Sequence, residues 1–149
     1  MRSFVDTNVF VYADDDDSPA KQKIARALIA SLFESGNGVI SLQVLREYFV
    51  VATSKLGKDA ADVRRKVEIY SRFDLVAGDV DDLLAAIDLH RLHGLALWDA
   101  LIVQSALAAR CGILYSEDLQ HGRKFGALRV ENPFTASAPP PRPTRRRSS

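Results

Sequence analysis

RSFVDTN, residues 2–8, sets a short, mostly apolar run directly against an aspartate. Residues 2–5 read as a buried first strand, and Asp6 closes it. A strand that ends on a carboxylate is informative, because open α/β sheets bind ligands beyond the carboxyl ends of their strands. Three further acids occupy comparable positions. Glu47 lies in LQVLREYF (42–49), Asp99 in LALWDALI (95–102) and Asp118 in LYSEDLQHG (114–122). If the chain folds as a parallel α/β domain, all four can reach one edge of the sheet. Carboxylates at ~4 Å repel by roughly 4 kcal/mol at a surface-like dielectric. Such a cluster persists only if some acids take up protons or a divalent cation binds.

Working outward from Asp6, strands and helices alternate. Ser18 before Pro19 predicts a helix start, with the serine as cap and the proline in the first turn. Ile24, Ala27, Leu28, Leu32 and Phe33 then recur at helical spacing, and SGNG (35–38) stops the helix. Residues 38–41 read as a second strand. A helix over about 42–54 follows, with Leu42, Leu45, Phe49 and Ala52 along one face. Asp59 or Asp62 starts another, running to about Phe73, before a short strand in DLVA (74–77). A helix over about 80–93 has an acidic first turn (Asp79, Asp81, Asp82) that suits its dipole. Leu97 begins a long apolar helix to Arg110. GILYS (112–116) reads as a strand, EDLQHGRKFG (117–126) as a loop with room for one helical turn, and LRVEN (128–132) as the last strand. The order predicts an α/β fold, a three-layer α/β/α sandwich around a mostly parallel sheet.

The 149 residues, 47% hydrophobic and 26% charged, describe one globular domain large enough for a real core. The domain is expected over residues 1–134. From there the composition turns to Pro and Arg, and five of the six prolines lie beyond residue 132, so residues 135–149 read as a disordered tail. Net charge is +1, but Arg142, Arg145, Arg146 and Arg147 sit in that tail. Without them 16 basic residues face 19 acidic ones, a net of −3. Contact with nucleic acid must then use local patches or the tail. Cys111 is the only cysteine, which excludes an internal disulfide and suggests a reducing compartment, the cytoplasm; it reads as a small buried thiol. The N-terminus does not read as a signal peptide, and Asp99 inside the longest apolar stretch argues against a membrane span.

Each acid has a plainer explanation. Asp99 and Glu47 could be dipole partners of helix N-termini, Asp6 a turn former and Asp118 a solvated loop acid. Asp14 to Asp17 read as a solvated loop, and His90 with His93 as histidines meeting free carbonyls at a helix end. Trp98 reads as core packing. Ser116 and His121 could be drawn with an aspartate as a hydrolase triad, but no Gly-x-Ser-x-Gly elbow is present. No glycine pattern for mononucleotides or dinucleotides occurs.

FVDTNVFVYA (4–13), the isolated Glu47, LALWDALIVQSA (95–106) and LYSEDLQHG with the closing LRVENPF (128–134), in this order, resemble the PIN-domain family, and within it the VapC-type toxins of toxin–antitoxin pairs. The similarity spans residues 3–134. It implies a three-layer α/β/α fold and a metal-dependent ribonuclease. It also implies that Asp6, Glu47, Asp99 and Asp118 are the acidic set, with Asn8 supporting Asp6. Glu117 is a fifth acid to which the pattern assigns no role. The acidic pattern is intact, so nothing points to an inactive member. A homodimer and a cognate antitoxin are further implications, the antitoxin lying in a hydrophobic groove with a basic side chain among the acids. The RNA could be tRNA, rRNA or mRNA.

The expected mechanism has Asp6 and Asp99 binding Mg²⁺ or Mn²⁺, with Asp118 and Glu47 completing the site, and Thr7 and Asn8 orienting these ligands. Because the pocket repels phosphate, basic residues must bring RNA in. Arg46, the run Arg64, Arg65 and Lys66, and Arg123 with Lys124 are candidates, although the 64–66 run fits a solvated face better. Single-stranded or looped RNA is the expected target. Two rivals stand beside this. One is a phosphohydrolase with Asp6 as nucleophile, which would want an aspartate where Asn8 stands. The other is a non-catalytic module binding RNA or protein, whose acids hold a structural cation.

Overall fold

In the computed structural model, which describes residues 1–137, the first strand is β1 (Ser3–Val5), followed by α1 (Thr7–Ala13) and α2 (Pro19–Ser35). Next come β2 (Gly38–Ser41), α3 (Leu42–Ser54), α4 (Ala60–Tyr70), β3 (Asp74–Val76), α5 (Val80–His93) and α6 (Leu97–Ala108). β4 (Ile113–Tyr115), β5 (Lys124–Phe125), β6 (Leu128–Glu131) and a 3-10 turn at Pro133–Ser137 complete them. The sheet order is β3-β2-β1-β4-β6-β5. Every pairing is parallel except β5 with β6. This is the α/β sandwich with a mostly parallel sheet that the alternation predicts. Its consequence is positional. Phe4 pairs with Val39 on one side and Leu114 on the other, so β1, β2 and β4 run level and end on one edge.

The central strands read as continuous apolar runs because both faces are covered. Phe4, Val5, Val39, Ile40 and Leu114 are fully buried. Gly38 is required where it stands, since a Cβ there would collide with the Phe73 ring. Local signals set several boundaries. Asp59 caps α4 by accepting from the Ala61 and Asp62 amides, and Asp79 forms a capping box with Asp82 at the start of α5. Gly36 and Gly94, both left-handed (φ 75° and 69°), end α2 and α5. No helix among the described residues is long and apolar enough to cross a membrane.

Several expectations need correction. α1 was not foreseen. Its sequence TNVFVYA is rich in strand-forming residues, and packing of Val9, Phe10 and Ala13 into the core overrides that preference. Residues 117–126 hold the short strand β5 rather than a helical turn. Ser18 does stand at the N-cap of α2, but its hydroxyl donates to Asp15 and makes no cap bond. α4 ends at Tyr70, short of Phe73. The buried face of α3 is Val44, Leu45, Tyr48 and Ala52, with Phe49 exposed. That of α2 is Ala25, Ile29 and Leu32, with Ala27 and Phe33 exposed. Trp98 is not core packing; it is 64% exposed. Asp14 is not a solvated loop acid; it is buried, accepting from Tyr48 Oη and Lys66 Nζ. Of the tail read from composition, residues 138–149 lie outside the described residues.

Candidate active site

Asp6 follows β1 and is the N-cap of α1, so its position is set by both. The Thr7 amide donates to Asp6 Oδ1 at 2.7 Å. Asp6 Oδ2 accepts from Ser116 Oγ at 2.8 Å and from Asn8 Nδ2 at 3.4 Å. Ser116 follows β4, the strand paired with β1, and is fully buried. Its Oγ also accepts from the Asp118 amide at 3.1 Å, so one hydroxyl ties the two sheet-edge acids together. Glu47 comes from the second turn of α3. Thr7 Oγ1 donates to its Oε1 at 2.8 Å, and Gln43 Nε2 reaches its Oε2 at 3.4 Å. Gln43 Nε2 also reaches the Trp98 carbonyl at 3.4 Å, beside Asp99 in the first turn of α6.

The electrostatics link the same four acids. Burial pushes the Asp6 carboxyl up to about 7, against the lowering effect of the Ser116 and Thr7 hydrogen bonds, and the charges of Asp118 and Glu47 add to the rise. Asp99 is raised as well, first by partial burial and then by Asp118 and Glu47. Asp118 and Glu47 therefore act on both of the others. None of the four has a Lys, Arg or His ion-pair partner among the described residues.

Among the described residues, no three acidic, histidine or cysteine groups stand close enough to chelate an ion as they are. The donor chemistry nevertheless fits a hard divalent cation. The set is all oxygen, it carries excess negative charge, and burial with the Asp118 and Glu47 charges raises the Asp6 carboxyl, which a bound cation would lower again. Mg²⁺ or Mn²⁺ suits such donors better than zinc does.

The other candidates divide. Thr7 and Asn8 stand beside the acids, Thr7 bonded to Asp6 and Glu47 and Asn8 to Asp6; Asn8 Oδ1 also accepts from the Glu117 amide at 3.2 Å. Arg46 is exposed and lines the groove that holds Thr7, Glu47 and Asp118. Arg123 is turned elsewhere, to the His93 carbonyl (3.4 Å) and the Phe125 ring (4.9 Å), so no contact among the described residues brings it to the acids. Arg64 pairs with Glu68, Arg65 with Asp62 and Lys66 with Asp14, which fits the structural reading of that run. His90 Nδ1 meets the Leu95 carbonyl at the end of α5. His121 accepts from the Asn132 amide while Ser116 bonds to Asp6, so no triad forms. Glu117 gains a place: its oxygens accept from Tyr12 Oη (2.8 Å) and Lys21 Nζ (2.5 Å), fastening the Ser116–Asp118 turn to α1 and α2. Gln43 joins the site without a motif of its own; its i,i+4 spacing from Glu47 on one helix is the signal that marks it.

No curated protein matches the chain. Solved structures share its fold, among them three toxin or toxin–antitoxin structures. A toxin–antitoxin complex from Klebsiella pneumoniae is 20% identical, with 88% of this chain and 97% of that one covered and a TM-score of 0.65. VapC20 of Mycobacterium tuberculosis, described as a sarcin–ricin loop cleaving toxin, is 16% identical over 76% and 88% of the two chains, at a TM-score of 0.58. VapBC2 of Rickettsia felis, bound to a DNA fragment from its promoter, is 19% identical over 89% and 98%, also at 0.58. In sequence, the PIN domain pattern matches residues 3–124. With that match running from β1 to the start of β5 and taking in all four acids, the chain belongs to the PIN domain family.

Proposed function

We propose that the chain is a metal-dependent endoribonuclease and the toxin of a toxin–antitoxin pair. The observation that carries this is the gathering of Asp6, Glu47, Asp99 and Asp118, with Asp6 pushed up to about 7 and no protein cation beside it among the described residues. Asp6, Asp99 and Asp118 would hold Mg²⁺ or Mn²⁺, with Glu47 completing the set. Bound there, such an ion would supply an acidified water and offset charge on a phosphate. The chain's own residues do the positioning. Ser116 and the Thr7 amide fix the two oxygens of Asp6, while Thr7 Oγ1 and Gln43 fix those of Glu47. Arg46 at the rim is the candidate to meet an RNA phosphate.

A groove of about 610 Å³ leads from Thr7, Glu47 and Asp118 to Val11, Val51 and Leu56 between α1 and α3. Acidic at one end and mostly apolar beyond it, with Asp15 and Lys55 also in its wall, it suits an antitoxin segment carrying one basic side chain. α5 leaves Leu84 and Leu92 in solvent (54% and 77% exposed), the candidate seat of a second copy in a homodimer. A toxin acting on cellular RNA would work in the cytoplasm.

The test is cleavage of a total RNA pool with Mg²⁺, with Mn²⁺ or with chelator, comparing wild type, Asp6→Asn and Asp99→Asn. Cleavage should need the metal and both acids. Activity that persists in chelator and in both variants would remove the proposal.

A further inference from the structure

We infer that the pocket beside Trp98 receives one unstacked base of a single-stranded RNA whose adjoining phosphate lies at the acids; this rests on the nuclease reading above. Trp98 stands in the first turn of α6, next to Asp99, and is 64% exposed. It walls a pocket of about 450 Å³ together with Leu83, Gln43, Arg46, Asp82 and Gln104. Ser41, the last residue of β2, and Ala77, just after β3, also line it. It therefore lies on the same edge of the sheet as Asp6, displaced toward β2 and β3, where ligands of such sheets are expected. The connection to the acids is direct. Gln43 holds both Glu47 Oε2 and the Trp98 carbonyl, and Arg46 lines this pocket as well as the groove at the acids.

The lining selects a base over a phosphate. Trp98 and Leu83 offer apolar faces for stacking, and base stacking on an aromatic ring tolerates any sequence. Asp82 is already held by the Asp79 amide and by Gln104 Nε2, so its carboxylate repels phosphate yet can still accept from a base amino group. Arg46 is the one basic residue among the described lining, enough for a single phosphate at the mouth. A duplex keeps its bases stacked and cannot place one here.

Trp98 is the only tryptophan of the chain, so intrinsic emission reports on this pocket alone. The full-length protein would be titrated in Ca²⁺, which offsets the charge of the acids, with a short single-stranded RNA of mixed sequence and with its duplex. Single strands should quench Trp98 and duplex should do so far less. By anisotropy of labelled RNA, Trp98→Ala should bind about tenfold more weakly, and Trp98→Phe should keep most of the affinity. Saturable binding without quenching, no binding of the single strand, or equal affinity in Trp98→Ala would each overturn the inference. Sedimentation then shows whether Trp98→Ala has instead lost self-association, which would assign the indole to a contact between copies. Because no cleavage is needed, RNA that binds and quenches but survives Mg²⁺ and Mn²⁺ removes the nuclease reading and keeps the pocket. RNA that is cut while Trp98 stays unquenched does the reverse.

Discussion

Asp6 and Asp14 stand at opposite ends of α1, at its N-cap and its C-cap, and both are nearly removed from water, at 4% and 3% exposure. Their surroundings differ in charge. Asp14 accepts from the Lys66 ammonium and from Tyr48, whose hydroxyl is held protonated by burial first and by Asp14 second. It also lies at the unfavourable end of the helix dipole, which makes the cation more necessary. Asp6 accepts only from neutral donors, Ser116, Thr7 and Asn8, and faces Asp118 and Glu47. Burial alone therefore does not mark a working carboxylate. A buried acid whose charge the protein matches is a structural pin. One left unmatched must hold a proton or draw a cation from outside.

The largest expected effect that could break this contrast is on activity. Asp6→Asn should lower RNA cleavage at least about a thousandfold, ~4.1 kcal/mol in the barrier. Asp14→Asn should leave the rate per folded molecule near that of wild type. Equal losses in both would erase the distinction.

The second is a pH effect in chelator. With Asp6 at about 7 when folded and 3.8 as its ordinary value, the folded state holds the proton through that interval and the unfolded chain does not. The contribution to stability is full below about 4 and is lost as pH rises through about 7, amounting to ~4 kcal/mol at most. The stability of wild type minus that of Asp6→Asn, from urea unfolding, should fall from pH 4 to pH 8 and recover when Mn²⁺ is added at pH 8. A difference that is flat in pH would show Asp6 to be matched after all.

The third concerns the matched acid. Lys66→Met leaves Asp14 buried without its cation. Lys66 is 42% exposed, so solvent reduces the loss, and about 2 kcal/mol is expected in urea unfolding, with no change in metal response. The smallest concerns Glu117, whose partner Lys21 is about a third exposed. Glu117→Gln should cost about 0.5–1 kcal/mol and change cleavage less than threefold. A loss as large as that of Asp6→Asn would put Glu117 among the metal donors.

Much of the fold was legible because its signals are local. Pro19, Gly36, Asp59, Asp79 and Gly94 mark helix ends through φ preferences and caps that depend on a few neighbouring residues. The strands around Asp6 and Asp118 were legible as short apolar runs between breaks. Misreadings gathered where burial by distant residues outweighs local preference. TNVFVYA favours a strand but is helical under the core. In α2 and α3 the helices were legible, yet their buried faces are turned from those expected, since Phe33 and Phe49 are apolar but exposed.

The sequence by itself determined that the chain alternates strands with helices, and that four acids lie at strand ends and in the opening turns of helices. Periodicity and breakers carry that information residue by residue. Only the tertiary structure decided what each charge meets. Asp14 with Lys66, 52 residues apart, and Glu117 with Lys21, 96 apart, are paired by packing that no local pattern encodes. The same packing leaves Trp98 in solvent and Asp6 without a cation partner among the described residues. Whether a carboxylate braces the fold or waits for a ligand depends on the field around it, and that field is set by groups from other elements of the chain.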